Sequence, residues 1–127
     1  MPSYDSTGFD PPAPVARVSV RNPGSGDAKA GVPMLIDTGA DVTLLPLSVA
    51  TELGIAAIPG KTYELIGFEG TACSALAAYA EVIFLDRRFR GKFLLIDQEI
   101  GIIGRNILNS VSPQFDGPRL KWDRSSQ

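Results

Sequence analysis

The 127-residue chain contains no histidine. That absence excludes Ser-His-Asp and Cys-His nucleophile systems, His-ligated zinc and any histidine acid/base pair. A single cysteine, Cys73, leaves no intrachain disulfide and no multi-cysteine metal site. Without a disulfide framework, a reducing cytoplasm is the expected compartment. No apolar run approaches the roughly 20 residues of a membrane-spanning helix. The N-terminus, Met1-Pro2-Ser3-Tyr4-Asp5, has neither a basic nor an apolar segment and does not read as a secretory signal. An excess of one charge is lacking too. The formal net charge is -2, no footprint for nucleic acid or an anionic membrane. Any catalysis must therefore rest on carboxylates, Lys, Tyr, Arg or hydroxyls, and neither a metal nor a cofactor is expected.

What is present suits one domain. The chain is 44% hydrophobic and 20% charged, enough to fold around a core. Residues 1–14 are polar and Pro-rich and read as a loose arm before a single domain over 15–127. Val15 to Val20 alternates apolar and polar, the pattern of a half-buried strand. Val32 to Ile36 reads as a buried strand and Val42 to Leu45 as a short one. Pro46, Val49, Ala50 and Leu53 recur at helical spacing, with Gly54 as a stop. Thr62 to Ile66, Ala72 to Leu85 and Lys92 to Ile96 read as further strands, with a turn at Asp86 to Gly91. Arg87, Arg88 and Arg90 in that turn are expected to be a solvated charge cluster. Ile102 to Gly104 is short and apolar, Arg105 to Asn109 a brief helix, and Asp116-Gly117 a final hairpin turn before Arg119 to Trp122. Many short strands and Gly/Pro-rich turns predict an all-β small barrel or sandwich.

The chemistry centres on Asp37-Thr38-Gly39, directly after a buried strand. Gly39 lets the backbone approach a carboxylate closely, and the arrangement suits holding an activated water. Taken alone, the triplet reads more readily as an ordinary turn, because Asp and Gly are common there.

Its surroundings add to this. Leu35-Ile36-Asp37-Thr38-Gly39-Ala40-Asp41-Val42-Thr43-Leu44-Leu45-Pro46 resembles the active-site strand and loop of retropepsins, the retroviral-type aspartic proteases. Ile102-Ile103-Gly104-Arg105-Asn106-Ile107-Leu108 resembles their second signature. Glu64 to Ala72 falls where that family carries its flap hairpin. The resemblance runs from Val15 to Leu108. It implies a small closed β-barrel with a flap hairpin and one or two short helices.

The resemblance also implies an aspartic endopeptidase. Two Asp carboxyls share a proton and activate a water, which attacks the peptide carbonyl without an acyl-enzyme. Two carboxyls in contact cannot both ionise cheaply. The chain has one Asp-Thr-Gly and no Asp-Ser-Gly. Ile103-Gly104 holds the symmetry-related place without an acid, so a homodimer with Asp37 from each copy is expected. The resemblance gives Thr38 a bond across the dimer axis and Gly39 a contact with substrate backbone. It makes Asp41 and Arg105 a buried acid–arginine pair. Leu35, Ala40, Ile66, Gly67, Phe68, Glu69, Ile100 and Ile102 become the substrate-binding set, with Phe68-Glu69-Gly70 as the flap tip. Peptides or proteins with hydrophobic side chains beside the cleaved bond are the implied substrates.

Departures from the family matter. The flap tip is bulkier and more acidic than retroviral ones. Ala40 lacks the hydroxyl that pepsins place there, which predicts a less acidic pH optimum than theirs. Phe115 to Trp122 is expected to form a hairpin, with Trp122 as a packing anchor, so that dimer contacts there differ. Cys73 reads as an inert small hydrophobe. A non-catalytic dimeric peptide-binding or assembly module with the same fold is the alternative function.

Overall fold

The computed structural model describes residues 2–66 and 72–125, with backbone only at 66, 72 and 73. After a two-residue strand β1 (Tyr4–Asp5), β2 (Ala13–Arg21) and β3 (Ala28–Ile36) run antiparallel. Then follow β4 (Leu44–Pro46), α1 (Leu47–Glu52), β5 (Ala57–Ile66), β6 (Ala72–Phe84), β7 (Arg87–Ile96) and β8 (Gly101–Ile103). The chain ends with α2 (Arg105–Leu108) and a separate hairpin of β9 (Pro113–Asp116) and β10 (Lys121–Arg124). Among the described residues no helix is long and apolar enough to cross a membrane.

The sheet closes on itself. Its order is β1-β2-β3-β8-β4-β7-β6-β5, and an additional β2–β6 pairing joins strands that are far apart in that order. β2 is thus hydrogen-bonded on both edges, at Val15–Arg21 to β3 and at Ser19–Arg21 to β6. Alternation along β2 points Ala16, Val18 and Val20 into the barrel and leaves Arg17 outside. Val32, Met34 and Ile36 of β3 do the same, and Met34 and Ile103 are fully buried. The run Val32 to Ile36 thus has one face in the core and another only half covered. Burial of side chains of this size is worth about 1.5–3 kcal/mol each.

Local chemistry explains the helix. Pro46 is its N-cap residue, in extended conformation, and Val49 and Ala50 face the core. Gly54 ends it with φ +67, a conformation open to glycine at little cost. Trp122 anchors the terminal hairpin. It is 2% exposed, its indole N–H donates to the Val15 carbonyl at 3.1 Å, and its ring lies 6.0 Å from Phe84.

Two expectations fail here. The reversal between β6 and β7 is not at Asp86 to Gly91 but at Leu85-Asp86, both with positive φ. Both central positions of a two-residue hairpin turn take that conformation, and Asp tolerates it. Arg87, Arg88 and Arg90 therefore lie in a strand. Residues 2–14 are also more organised than a loose arm. Tyr4 and Asp5 pair with Pro14 and Ala13. Tyr4 N–H donates to the Leu120 carbonyl at 2.9 Å, and Trp122 N–H to the Pro2 carbonyl at 3.2 Å. These are backbone bonds to the far end of the chain, which composition does not register.

Candidate active site

Asp37 is the first residue beyond β3. Its N–H donates to the Ile103 carbonyl at 3.1 Å, continuing the parallel β3–β8 pairing by one residue. The side chain is half-buried, while Thr38 and Gly39 are exposed. Asp37 Oδ1 accepts the Gly39 N–H at 2.9 Å, and the Asp37 carbonyl accepts the Ala40 N–H at 3.2 Å. A Cβ on Gly39 would lie 3.1 Å from that same Oδ1. Glycine thus lets the amide reach the carboxylate without crowding it.

A second loop backs the first. Arg105 N–H donates to the Ala40 carbonyl at 2.8 Å, and the Arg105 guanidinium to the Thr38 carbonyl at 2.6 Å. Gly104 is required by contact: a Cβ there would meet the Val42 carbonyl oxygen at 2.2 Å and the Ala40 carbonyl oxygen at 3.0 Å. Thr43, 1% exposed, lies between the loops. Its hydroxyl accepts the Gly104 N–H at 3.0 Å and donates to Asn106 Oδ1 at 2.7 Å. Backbone and buried hydroxyl together fix where the Asp37 carboxylate points. Among the described residues nothing hydrogen-bonds Asp37 Oδ2. That oxygen is left for a water or a second carboxyl.

The structure brings Asp37, Thr38, Gly39, Ala40 and Arg105 together. Leu35 and Ile102 pair in register beside them and are half-buried. Ile102 also packs against a side cluster of Leu44, Ala75, Ala77 and Leu94. Ile100 is half-buried too, near the N-terminal turn: a Cβ on Gly8 would lie 3.8 Å from its Cδ1. Gly67, Phe68 and Glu69 lie outside the described residues, as do the side chains of Ile66 and Cys73. β5 and β6 remain paired as far as Ile66 and Ala72, within the Glu64 to Ala72 segment expected as the flap.

The buried Asp41–Arg105 pair is not formed. Both residues are exposed, and among the described residues no ion pair joins them. The guanidinium instead holds the Thr38 carbonyl, tying the same two loops through backbone. Thr43 and Asn106 went unread as site residues. Their signal was a lone hydroxyl inside the apolar run Val42 to Leu45 and an amide directly after Arg105. A cavity of about 450 Å³ is lined by Tyr4, Arg17, Phe84 and Trp122 among others, with no residue of the Asp37 loop.

Comparison with known proteins agrees with this geometry. The model of a family described as aspartyl protease matches residues 17–107, from β2 through most of α2 and including both loops. No curated protein matches. Among solved structures, the fold is similar to that of EIAV protease complexed with the inhibitor HBY-793. The TM-score is 0.57 at 22% identity, covering 77% of this chain and 86% of that one. The paired strands β5 and β6, the carboxylate loop after β3 and the glycine-backed second loop after β8 all fall within the matched residues: the chain belongs to the aspartyl protease family, with a retropepsin-like fold.

Proposed function

We propose that this aspartic protease is an endopeptidase whose catalytic centre forms when two copies meet, Asp37 of each supplying one carboxyl. One observation carries the reading. The chain holds one well-positioned carboxylate, and its second apolar-pair–glycine segment, Ile102-Ile103-Gly104, is followed by Arg105, not by an acid. A two-fold axis beside Asp37 supplies the missing group with the same geometry.

The chemistry then follows from two carboxyls sharing one proton. The ionised carboxylate takes a proton from a water held between the pair. The water oxygen forms a bond to the peptide carbonyl carbon. The protonated partner gives its proton to the carbonyl oxygen, leaving a neutral tetrahedral diol. The carboxyl that took the water's proton gives it to the amide nitrogen, while its ionised partner takes a proton from a diol hydroxyl. The C–N bond breaks to leave a carboxylic acid and an amine, and the pair again holds one proton. Each carboxyl serves as base and as acid in turn. Gly39 N–H fixes one oxygen of each carboxyl, so little reorganisation is needed as charge moves.

Thr38, exposed beside Asp37, meets its counterpart across the axis in this reading. Leu35, Ile100 and Ile102 supply apolar walls for hydrophobic side chains beside the cleaved bond. Ala40 keeps the wall apolar, and the rate maximum is expected at a less acidic pH than that of pepsins.

Asp37→Asn keeps the shape of the side chain and removes the base. Cleavage of a mixed peptide library is expected to fall by about 10²–10⁴-fold or more. A pepstatin-type inhibitor should raise the Tm of the wild type and do so far less for the variant. Equal turnover in both proteins, or inhibitor stabilisation that ignores the substitution, would remove Asp37 from the chemistry. Inhibitor and peptide binding with no turnover in the wild type would point to a binding module.

A further inference from the structure

The outer face of β2, β6 and β7 carries a charge arrangement that the catalytic loops do not use. Glu81 of β6 is 3% exposed. It stands opposite Arg21 of β2 and Arg90 of β7 in the strand register, and Ile83, two residues on, stands opposite Arg88. The three guanidiniums approach Glu81 at 3.7, 3.4 and 3.8 Å for Arg21, Arg90 and Arg88. These are ion-pair distances, longer than charge-assisted hydrogen bonds. Glu81 Oε1 has no hydrogen-bond partner among the described residues. The side chains of Arg88 and Arg90 are 74% and 65% exposed, so most of their donors face outward. Lys92 continues the row opposite Tyr79, which is 62% exposed. A chain of net charge -2 thus concentrates cations along one strand.

We infer that this face is an exosite for an acidic, extended segment of a protein substrate. Glu81 acts as the buried post that holds the guanidiniums in a row. Arg88, Arg90 and Lys92 alternate outward along β7, about 6.8 Å apart, twice the rise of a strand residue. Carboxylates on every second residue of an extended peptide have that same period. The planar donors of arginine match a carboxylate in a way that a diffuse cation does not. A carboxylate at the centre of the row, on an acidic molecule, disfavours a nucleic-acid backbone or a lipid surface. Each exposed pair is weak alone, so the site acts through several at once and shows as a lower KM. Calling the bound segment a substrate rests on the proteolytic reading above; the affinity for an acidic peptide does not.

The test uses fluorescein-labelled deca-glutamate and the full chain carrying Asp37→Asn, so that binding is read without cleavage. Anisotropy at about 50 mM salt should show binding that fades by about 200 mM. Adding Arg88→Gln and Arg90→Gln should weaken it about tenfold, and Lys29→Gln, elsewhere on the surface, should not. Arg88→Gln alone, at the most exposed of the three, should weaken it by a smaller factor and serves if the double variant is unstable. Absence of binding, or binding indifferent to these arginines, overturns the exosite. So does tighter arginine-dependent capture by phosphatidylserine vesicles or single-stranded RNA. With active protein, an acidic tail on a cleaved peptide should lower KM and leave kcat unchanged. The anisotropy decides the site whether or not any peptide is cleaved, so the two proposals fail separately.

Discussion

Thr43 shows how much one hydroxyl can organise. It is buried between two loops, and both of its bonds cross from one loop to the other. Thr43→Val preserves the shape and leaves the Gly104 N–H unpaired in the interior. The other partner, Asn106, is exposed and can turn to water. The expected cost is that of one buried orphan donor, about 1–3 kcal/mol in denaturant unfolding. Thr43→Ser keeps the hydroxyl and should recover most of it. A valine variant as stable as the wild type would show that the hydroxyl is not holding the loops. Thr43 was hard to read in the sequence because its neighbours Val42, Leu44 and Leu45 mark a strand, and a threonine suits a strand equally well. Asp37 was readable because an acid at the exit of an apolar strand, followed by glycine, is already a local arrangement. The Asp41–Arg105 pair was misread because a pairing between distant charges depends on where two side chains point. Here Arg105 finds a backbone carbonyl first.

At the scale of elements, alternation was the reliable guide. The strands β2, β3, β6 and β7 appear where apolar and polar residues alternate or where apolar runs are bounded by turn residues. The errors lie where the deciding partner is remote. Asp86 to Gly91 looks like a turn from its charge and glycine, yet Arg88 and Arg90 alternate with Phe89 and Gly91 in register with β6. The N-terminal segment looked loose because its partners are β2 and β10. Its turn is held by Asp5, whose carboxylate accepts the Thr7 N–H at 2.9 Å, the Thr7 hydroxyl at 2.8 Å and the Gly8 N–H at 3.1 Å. The Gly8 amide, the Thr7 hydroxyl and the Thr7 amide, in that order, hold the Asp5 carboxyl below the ordinary aspartate range. A depressed carboxyl lends stability above its unfolded value and loses it as pH falls through the folded one. The turn should therefore stay intact at mildly acidic pH and loosen only below the usual aspartate range. The Thr7 and Gly8 amide resonances, followed by NMR during acid titration, should move in that window. Asp5→Asn should abolish the movement. A titration that leaves both amides unmoved would break the link between this carboxylate and the segment.

The described molecule is a closed ring that presents the Asp37 loop. If the centre needs two copies, specific activity must depend on concentration. On dilution below the dimer dissociation constant, turnover per chain should fall in step with the dimer fraction seen by sedimentation. Mixing wild type with Asp37→Asn in excess should suppress activity, because most wild-type chains then pair with an incomplete partner. Activity per chain that stays constant while only monomer sediments would overturn the shared centre. Fold and proposed function separate at this scale: the strands of the barrel pair within one chain, whereas the proposed reaction takes a second copy.

The order of strands in the ring has a consequence for how the protein comes into being. β3 and β4 follow each other in the chain, yet β8 lies between them, parallel to one and antiparallel to the other. During synthesis Asp37 is made well before the segment that must slide into that gap. Pairings between segments so distant form slowly and only after both have emerged. Until Ile103 and Gly104 are available, the Asp37 amide has no carbonyl to bond and its loop has no floor. A nascent chain thus carries its acid long before it carries a platform for it, and the active loop matures only once the ring is complete.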